Sequence, residues 1–437
     1  MSAAAEAGRD RVLSLLLGAD RHPAQTGITS VCSAHPLVLE AACREAACAG
    51  AAVLIEATCN QVNQEGGYTG MTPQAFRDFV FAIAERSGLT RSRVILGGDH
   101  LGPNPWKGLA AEAAMQRAEA MVAAYVAAGF RKIHLDCSMG CRGEPAALAD
   151  DIVAARAARL ARVAEAHAEA AGLAPPVYVI GTEVPPPGGA THAIETIAVT
   201  APAAAARTLA VHRDAFAAAG ANAALARVLA LVVQPGVEFG NANVVVYERA
   251  AAQGLSRSLA ELGGLVFEAH STDYQPASAL AGLVADGFAI LKVGPGLTFA
   301  LREALYGLDA IAGEMLGAEA QGLQSVMEAL MVRDPRHWQG HYPGTPEQQY
   351  LQRHFSYSDR IRYYWTQAEA AAAVDGLLAR LDAVTIPETL VSQYLGRLYP
   401  AVAAGRVPAR ARALCLAAID LALVPYRAAT APQGEPQ

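Results

Sequence analysis

Eight short runs of apolar and β-branched residues, each followed by a turn and then a long helical pattern, limit what this chain can fold into. They are Gly27–Ser33, Ala52–Ala57, Val94–Gly98, Lys132–Asp136, Val177–Thr182, Leu229–Gln234, Leu265–Ala269 and Phe288–Val293. Strands alternating with helices build a parallel sheet, because each helical crossover covers a sheet face. The stretches between them, among them Thr72–Arg86, Leu109–Ala128, Ala147–Ala171 and Ala203–Ala219, are rich in helix-favouring Ala, Leu, Arg and Glu. Eight such units ending near Gly317 predict an α/β chain with a (β/α)8 TIM barrel over residues 1–317. An open doubly wound sheet is the alternative, but no GxGxxG fingerprint follows the first strand. Residues 318–437 show no further βα repeat. They read as a helical C-terminal extension packed on the barrel, with Ala428–Gln437 as a frayed tail.

Composition narrows the function classes. Of the 437 residues, 53% are hydrophobic, enough for a large core. The net charge of −7 comes without a basic tract, which argues against a nucleic-acid partner. Seven cysteines lack paired CxxC spacing, so a reduced, cytoplasmic protein is expected. The short apolar run Val12–Leu17 is no signal peptide, and no uninterrupted apolar stretch predicts a membrane span.

In this architecture the chemistry sits at the C-terminal strand ends, and almost every expected strand exits into polar residues. The first leads to Ser33 and His35; the second carries Glu56 and leads to Asn60. The third leads to Asp99 and His100, the fourth to Asp136, the fifth to Glu183 and the sixth to Gln234. The seventh leads to His270, Ser271 and Asp273, and the eighth carries Lys292 into Gly294 and Gly296. His100, Glu183 and His270 end alternate strands and can converge as metal ligands, leaving open positions for substrate oxygens. Zn²⁺ suits that set best, and Mn²⁺ or Co²⁺ would also suit it. Asp136 is a further ligand or a proton-transfer group, although Asp99 and Asp136 could equally cap the following helices. Lys292 reads as a structural or substrate-orienting lysine rather than a Schiff-base nucleophile. Gly294, Gly296 and Thr298 open a helix where barrels commonly bind phosphate, with Ser271 and Thr272 nearby; ordinary turn chemistry is the alternative for the glycines. Arg360 and Arg362, among aromatics between Phe355 and Trp365, could bind a phosphate or close over a sugar, in their own subunit or a neighbour's.

Several blocks resemble one family. Ser30-Val-Cys-Ser-Ala-His-Pro36, Asn60-Gln-Val-Asn63, Gly66-Gly-Tyr-Thr-Gly-Met-Thr72 and Gly97-Gly-Asp-His-Leu-Gly-Pro-Asn104 are similar to the Z-type subunit family of class II D-tagatose-1,6-bisphosphate aldolase. So are His134-Leu-Asp136, Gly181-Thr-Glu-Val-Pro185, Glu268-Ala-His-Ser-Thr-Asp-Tyr274, Leu291-Lys-Val-Gly-Pro295 and Ser358-Asp-Arg-Ile-Arg-Tyr-Tyr-Trp365. The resemblance implies a ketose or ketose-phosphate substrate of the fructose or tagatose type. It implies two activities: a metal-dependent 4-epimerase working by retro-aldol and aldol steps, or a non-catalytic subunit supporting a separate class II aldolase catalytic subunit. Asp99-His100 resembles the Asp-His pair of class II aldolases, and His270 a later metal-binding histidine. Proton transfer at the C4 hydroxyl is then expected of Asp99 or Asp273. The oligomeric state is open, a homo-oligomer included.

Overall fold

The structure, a computed structural model, describes residues 26–182, 197–317 and 322–431. All eight expected runs are strands. β1 (Ile28–Val31), β2 (Val53–Thr58), β3 (Val94–Leu101), β4 (Lys132–Leu135), β5 (Val177–Ile180) and β6 (Val228–Val232) come first. A short antiparallel pair follows, β7 (Glu238–Phe239) with β8 (Val244–Val245), and then β9 (Val266–Ala269) and β10 (Ile290–Val293). The other eight strands are parallel and close in the order β1-β10-β9-β6-β5-β4-β3-β2, which makes the fold a (β/α)8 TIM barrel.

The helices start where the sequence supplies caps. Thr72 accepts the Ala75 N–H ahead of Pro73. Proline also opens Pro36–Ala49, Pro202–Ala218 and Pro295–Leu316, at the position where a missing N–H costs nothing. Helix Asp150–Ala170 buries Ala154, Ala157, Ala158, Ala161 and Ala164, a small-residue face at helical spacing.

Inside the barrel the strand period of two decides what points inward. Ile28, Leu54, Ile95, Val266 and Ile290 belong to an apolar floor. Two residues further along the same strands come Ser30, Glu56, Gly97, Glu268 and Lys292. Two further again come Cys32, Thr58, Asp99, His270 and Gly294. β4 contributes Lys132 and then His134. Gly97 is required here: a Cβ on it would lie 2.3 Å from Glu56 Oε1.

The extension does more than cover one side. Helix Ala411–Thr430 buries Leu414, Cys415, Ile419 and Leu423 against the barrel helices Pro36–Ala49, Ala277–Ala285 and Pro295–Leu316. By length and composition this helix could cross a membrane, although Arg412, Asp420 and Arg427 interrupt it. Here its apolar face packs on the barrel. The chain stays helical through Thr430, past the expected start of fraying at Ala428, and Gly27 N–H donates to Thr430 O at 3.4 Å.

Candidate active site

A cavity of about 430 Å³ opens at the C-terminal mouth of the barrel. Of the residues expected there, Asn60, Asp99, His100, Asp136, His270, Ser271, Asp273, Lys292, Gly294, Arg360 and Arg362 line it. Others stand elsewhere, among them His35, Glu56 and Gln234. His35 caps helix Pro36–Ala49, its Nδ1 accepting the Leu37 N–H at 3.2 Å. Glu56 lies wholly buried in the barrel below the cavity. Gln234 shapes the turn after β6, its Oε1 accepting from Gly236 N at 2.7 Å and Val237 N at 2.9 Å. Glu183 lies outside the described residues.

The centre of the site is a cluster of Asp99, His100, His134 and His270, whose candidate ligand atoms all lie within 4.8 Å of one another. In a regular strand Asp99 and His100 would face opposite sides. The β3–β4 register shifts between Gly98 and Leu101, and His100 takes φ +49°, so both side chains face the cavity. Four described non-glycine residues have positive φ: His100, Ser271, Tyr274 and Asp359. His100 and Ser271 line the cavity, and the other two hold its walls, Tyr274 donating to Tyr357 O at 2.7 Å. Strained backbone of this kind concentrates at functional sites.

Hydrogen bonds fix which nitrogen each imidazole offers. His100 Nδ1 meets Asp136 Oδ2 at 2.8 Å, which points Nε2 to the ligand role. His270 Nε2 meets Glu268 Oε1 at 2.9 Å, which assigns Nδ1 that role. His134 Nε2 donates to the Gly181 carbonyl at 3.0 Å, while its Nδ1 accepts the His100 backbone N–H at 3.3 Å and lies 3.2 Å from Asp99 Oδ1. With its one proton on Nε2, the neutral ring turns the Nδ1 lone pair to the His100 N–H and to the Asp99 carboxylate, and a cation held between Nδ1 and Asp99 would relieve the second contact. The donor set therefore fits a divalent ion. A second group, Cys32, Glu56 and Asp99, also brings ligand atoms together. It fits less well, because Glu56 is already paired with two lysines.

Below the cluster lies a buried ionic floor. Lys132 Nζ sits 2.6 Å from both Glu56 Oε1 and Glu268 Oε2. Lys292 Nζ bonds to Asp99 Oδ1 and lies 3.2 Å from Glu56 and 3.5 Å from Glu268. Burial alone would raise the Asp99 carboxyl, but the His100 and Lys292 charges and the His134 hydrogen bond hold it well below its ordinary range. Burial and the Lys292 charge push His270 well down, so its ring is neutral, the form that binds metal. Three carboxylates against two ammonium groups leave the floor with a negative excess that a cation above it would balance.

His134, Lys132 and Glu268 were not among the expected site residues. The signal was present: Lys132, His134 and Asp136 stand two apart, and so do Glu268 and His270. A polar stripe at that spacing in a barrel strand faces the interior.

The expected anion site after the last strand is occupied by the protein itself. Asp273 Oδ1 accepts from Gly294 N at 2.9 Å and Gly296 N at 2.6 Å, and Thr298 Oγ1 donates to Asp359 Oδ2 at 2.6 Å. Burial pushes the Asp273 carboxyl up to about 6 despite those two N–H donors. The arginines come from the chain's own extension. Arg360 Nη1 donates to His337 O at 2.9 Å, and Arg360 Nε is buried with no hydrogen-bond partner among the described residues. Arg362 Nη2 donates to the Tyr363 hydroxyl at 3.0 Å.

Burial holds the half-buried His35 down at about 4, against an ordinary 6.5. The unfolded chain then binds the proton more readily than the folded one, so this stabilisation is full above pH 6.5 and is lost as pH falls towards 4. His35→Asn keeps a capping acceptor and does not titrate. Urea unfolding across that window should show a shallower loss of stability for the variant, and equal slopes would refute the assignment.

With the geometry in hand, likeness to known proteins acquires a chemical meaning. The chain matches the family described as D-tagatose-1,6-bisphosphate aldolase subunit GatZ/KbaZ-like over residues 13–431. It is 59% identical over 420 residues to a D-tagatose 6-phosphate 4-epimerase of Agrobacterium fabrum (strain C58 / ATCC 33970), covering 96% of this chain and 98% of that one. A crystal structure from Sinorhizobium meliloti 1021, described as a probable tagatose 6 phosphate kinase, superposes with a TM-score of 0.86 at 59% identity. It covers 92% of this chain and 100% of its own. The two names share a substrate and differ in the reaction.

Proposed function

Because this chain belongs to the D-tagatose-1,6-bisphosphate aldolase subunit GatZ/KbaZ-like family, we propose that it is a divalent-metal-dependent enzyme that epimerises a ketose 6-phosphate at C4. The tagatose and fructose forms would be its two substrates. The observation that carries this reading is the convergence of Asp99, His100, His134 and His270 above a negatively charged floor at the barrel mouth. Three imidazoles favour Zn²⁺, with Mn²⁺ or Co²⁺ as alternatives. They also favour epimerisation over the kinase description, since the Mg²⁺ of phosphoryl transfer takes oxygen ligands. The free cysteines fit a reducing, cytoplasmic compartment.

His100, His134 and His270 would hold the ion, leaving Asp99 for proton transfer. Bound there, the ion supplies Lewis-acid neutralisation of charge building on the ketose oxygens. Asp99, kept ionised by its cationic neighbours, takes the C4 hydroxyl proton. The C3–C4 bond breaks; its electron pair passes to the C1–C3 enediolate, and C4 becomes an aldehyde. Rotation of the aldehyde presents its other face, the bond re-forms, and Asp99 returns the proton to the C4 oxygen. Arg360 and Arg362 hold the phosphate of the detached fragment, so that it turns without leaving. Asp136 orients His100, and Asp273, tied to two backbone N–H groups, is less suited than Asp99 to act as the base.

The test is incubation of the Zn²⁺- and Mn²⁺-loaded chain alone with D-tagatose 6-phosphate in D₂O, followed by NMR. The C4–H bond never breaks on this route, so the expected product is D-fructose 6-phosphate without deuterium at C4. Deuterium at C4 would rule out the bond-cleavage route. Triose products without the epimer would make the chain an aldolase. The family description favours one other reading, a non-catalytic subunit supporting a class II aldolase catalytic subunit. Turnover seen only after that partner is added would establish it.

A further inference from the structure

We infer that Asp273 restricts this site to ketoses carrying a single phosphate, by occupying with its own carboxylate the place where a 1-phosphate would bind. The inference rests on the proposed ketose 6-phosphate reading and adds the residue that excludes a second phosphate.

Helix Pro295–Leu316 begins at the cavity wall, directly after β10. The N–H groups of Gly294 and Gly296 at such a helix start ordinarily form a phosphate cradle. Here both donate to one oxygen of Asp273, which is 2% exposed and lines the cavity. The fit is close: a Cβ on Gly296 would lie 3.0 Å from that oxygen. A third customary donor is also engaged, because the Thr298 hydroxyl bonds to Asp359. A phosphoryl group arriving here would meet a carboxylate instead of N–H donors.

The neighbouring Ser271 shows what does fit. Ser271 lines the same cavity and is 5% exposed, and its buried hydroxyl has no hydrogen-bond partner among the described residues. A neutral hydroxyl beside a carboxylate complements the hydroxymethyl end of a sugar. The cationic side chains lining the cavity agree. Lys292 is engaged by Asp99, Glu56 and Glu268, which leaves Lys107, Arg360 and Arg362 for one phosphoryl group. The remaining phosphate belongs on C6, at the arginines, with C1 unphosphorylated.

The experiment compares D-tagatose 6-phosphate with D-tagatose 1,6-bisphosphate for wild type, Asp273→Asn and Asp273→Ala, each loaded with the same metal. The readouts are kcat/KM and, separately, equilibrium binding by calorimetry. Wild type should prefer the monophosphate by about a hundredfold or more. Asp273→Ala should narrow that preference at least about tenfold, through a lower KM for the bisphosphate. Asp273→Asn, which keeps an oxygen acceptor without the charge, should narrow it less. Melting curves and metal content establish that each variant is folded. The binding ratio needs no turnover, so a chain that proves catalytically silent still tests the inference while failing the epimerase reading. Equal affinity of wild type for both forms overturns it, whether or not the variants fold. So does an unchanged ratio in folded variants.

Discussion

His134→Ala, prepared beside His100→Ala and His270→Ala, should lose its bound divalent ion and with it at least about a thousandfold of turnover, while folding normally. His134 is the informative member of the set. His100 stands next to last in β3 and His270 directly follows β9, so both can be suspected from position alone, whereas His134 sits in the middle of the expected run that forms β4. Its ring is wholly buried, its Nε2 is anchored on Gly181 O, and its Nδ1 faces Asp99. If it were merely a packing residue, alanine would leave a cavity and lower stability without removing metal. Elemental analysis after dialysis, with NMR turnover and urea unfolding on the same samples, separates the two roles. Full metal stoichiometry in all three variants would sink the proposed centre. Loss from His100→Ala and His270→Ala alone would return His134 to the structural floor.

What the sequence made legible follows from the range of each interaction. Strands and helices are written locally, and runs such as Val177–Thr182 and Phe288–Val293 can be placed because β-branched residues and flanking turns act over a few positions. His100 and His270 are visible because a polar residue at the end of an apolar run is conspicuous. Glu268 and Lys132 are harder to see, since a charged residue within a strand reads as solvent-facing unless closure of the barrel is already known. The contacts that define Asp273 were out of reach. The same carboxylate invites a reading as catalytic base, and only the approach of Gly294 and Gly296 reveals its engagement. The bulge that turns His100 beside Asp99 is likewise a product of β3–β4 pairing, with no composition signal of its own.

The second large effect is expected below the cavity. Lys132→Met should destabilise the protein by about 3–5 kcal/mol near neutral pH, because it removes one partner from a wholly buried ion cluster. Lys132 Nζ is 2.6 Å from Glu56 and from Glu268, and all three side chains are fully buried. The variant leaves Glu56 and Glu268, at 3.2 and 3.5 Å, to share Lys292 with Asp99. In the wild type, burial raises Glu268, but the Lys132 and Lys292 charges outweigh it and hold the carboxyl well below its ordinary 4.5. Its stabilisation is therefore complete above pH 4.5 and is lost as pH falls through the lowered value. Without Lys132 the burial effect is far less opposed, and the folded state should take up a proton more readily than the unfolded chain does. The pH dependence then reverses, and the variant regains stability on mild acidification. Lys132→Met combined with Glu268→Gln should recover part of the loss for the same reason. Urea unfolding at several pH values tests all three statements, and a cost below about 1 kcal/mol would show that the floor is not the tightly coupled unit its geometry describes. A separate consequence is chemical. Glu268 also bonds to His270, so the Gln variant should weaken metal binding even where it restores stability, a split that packing alone would not produce.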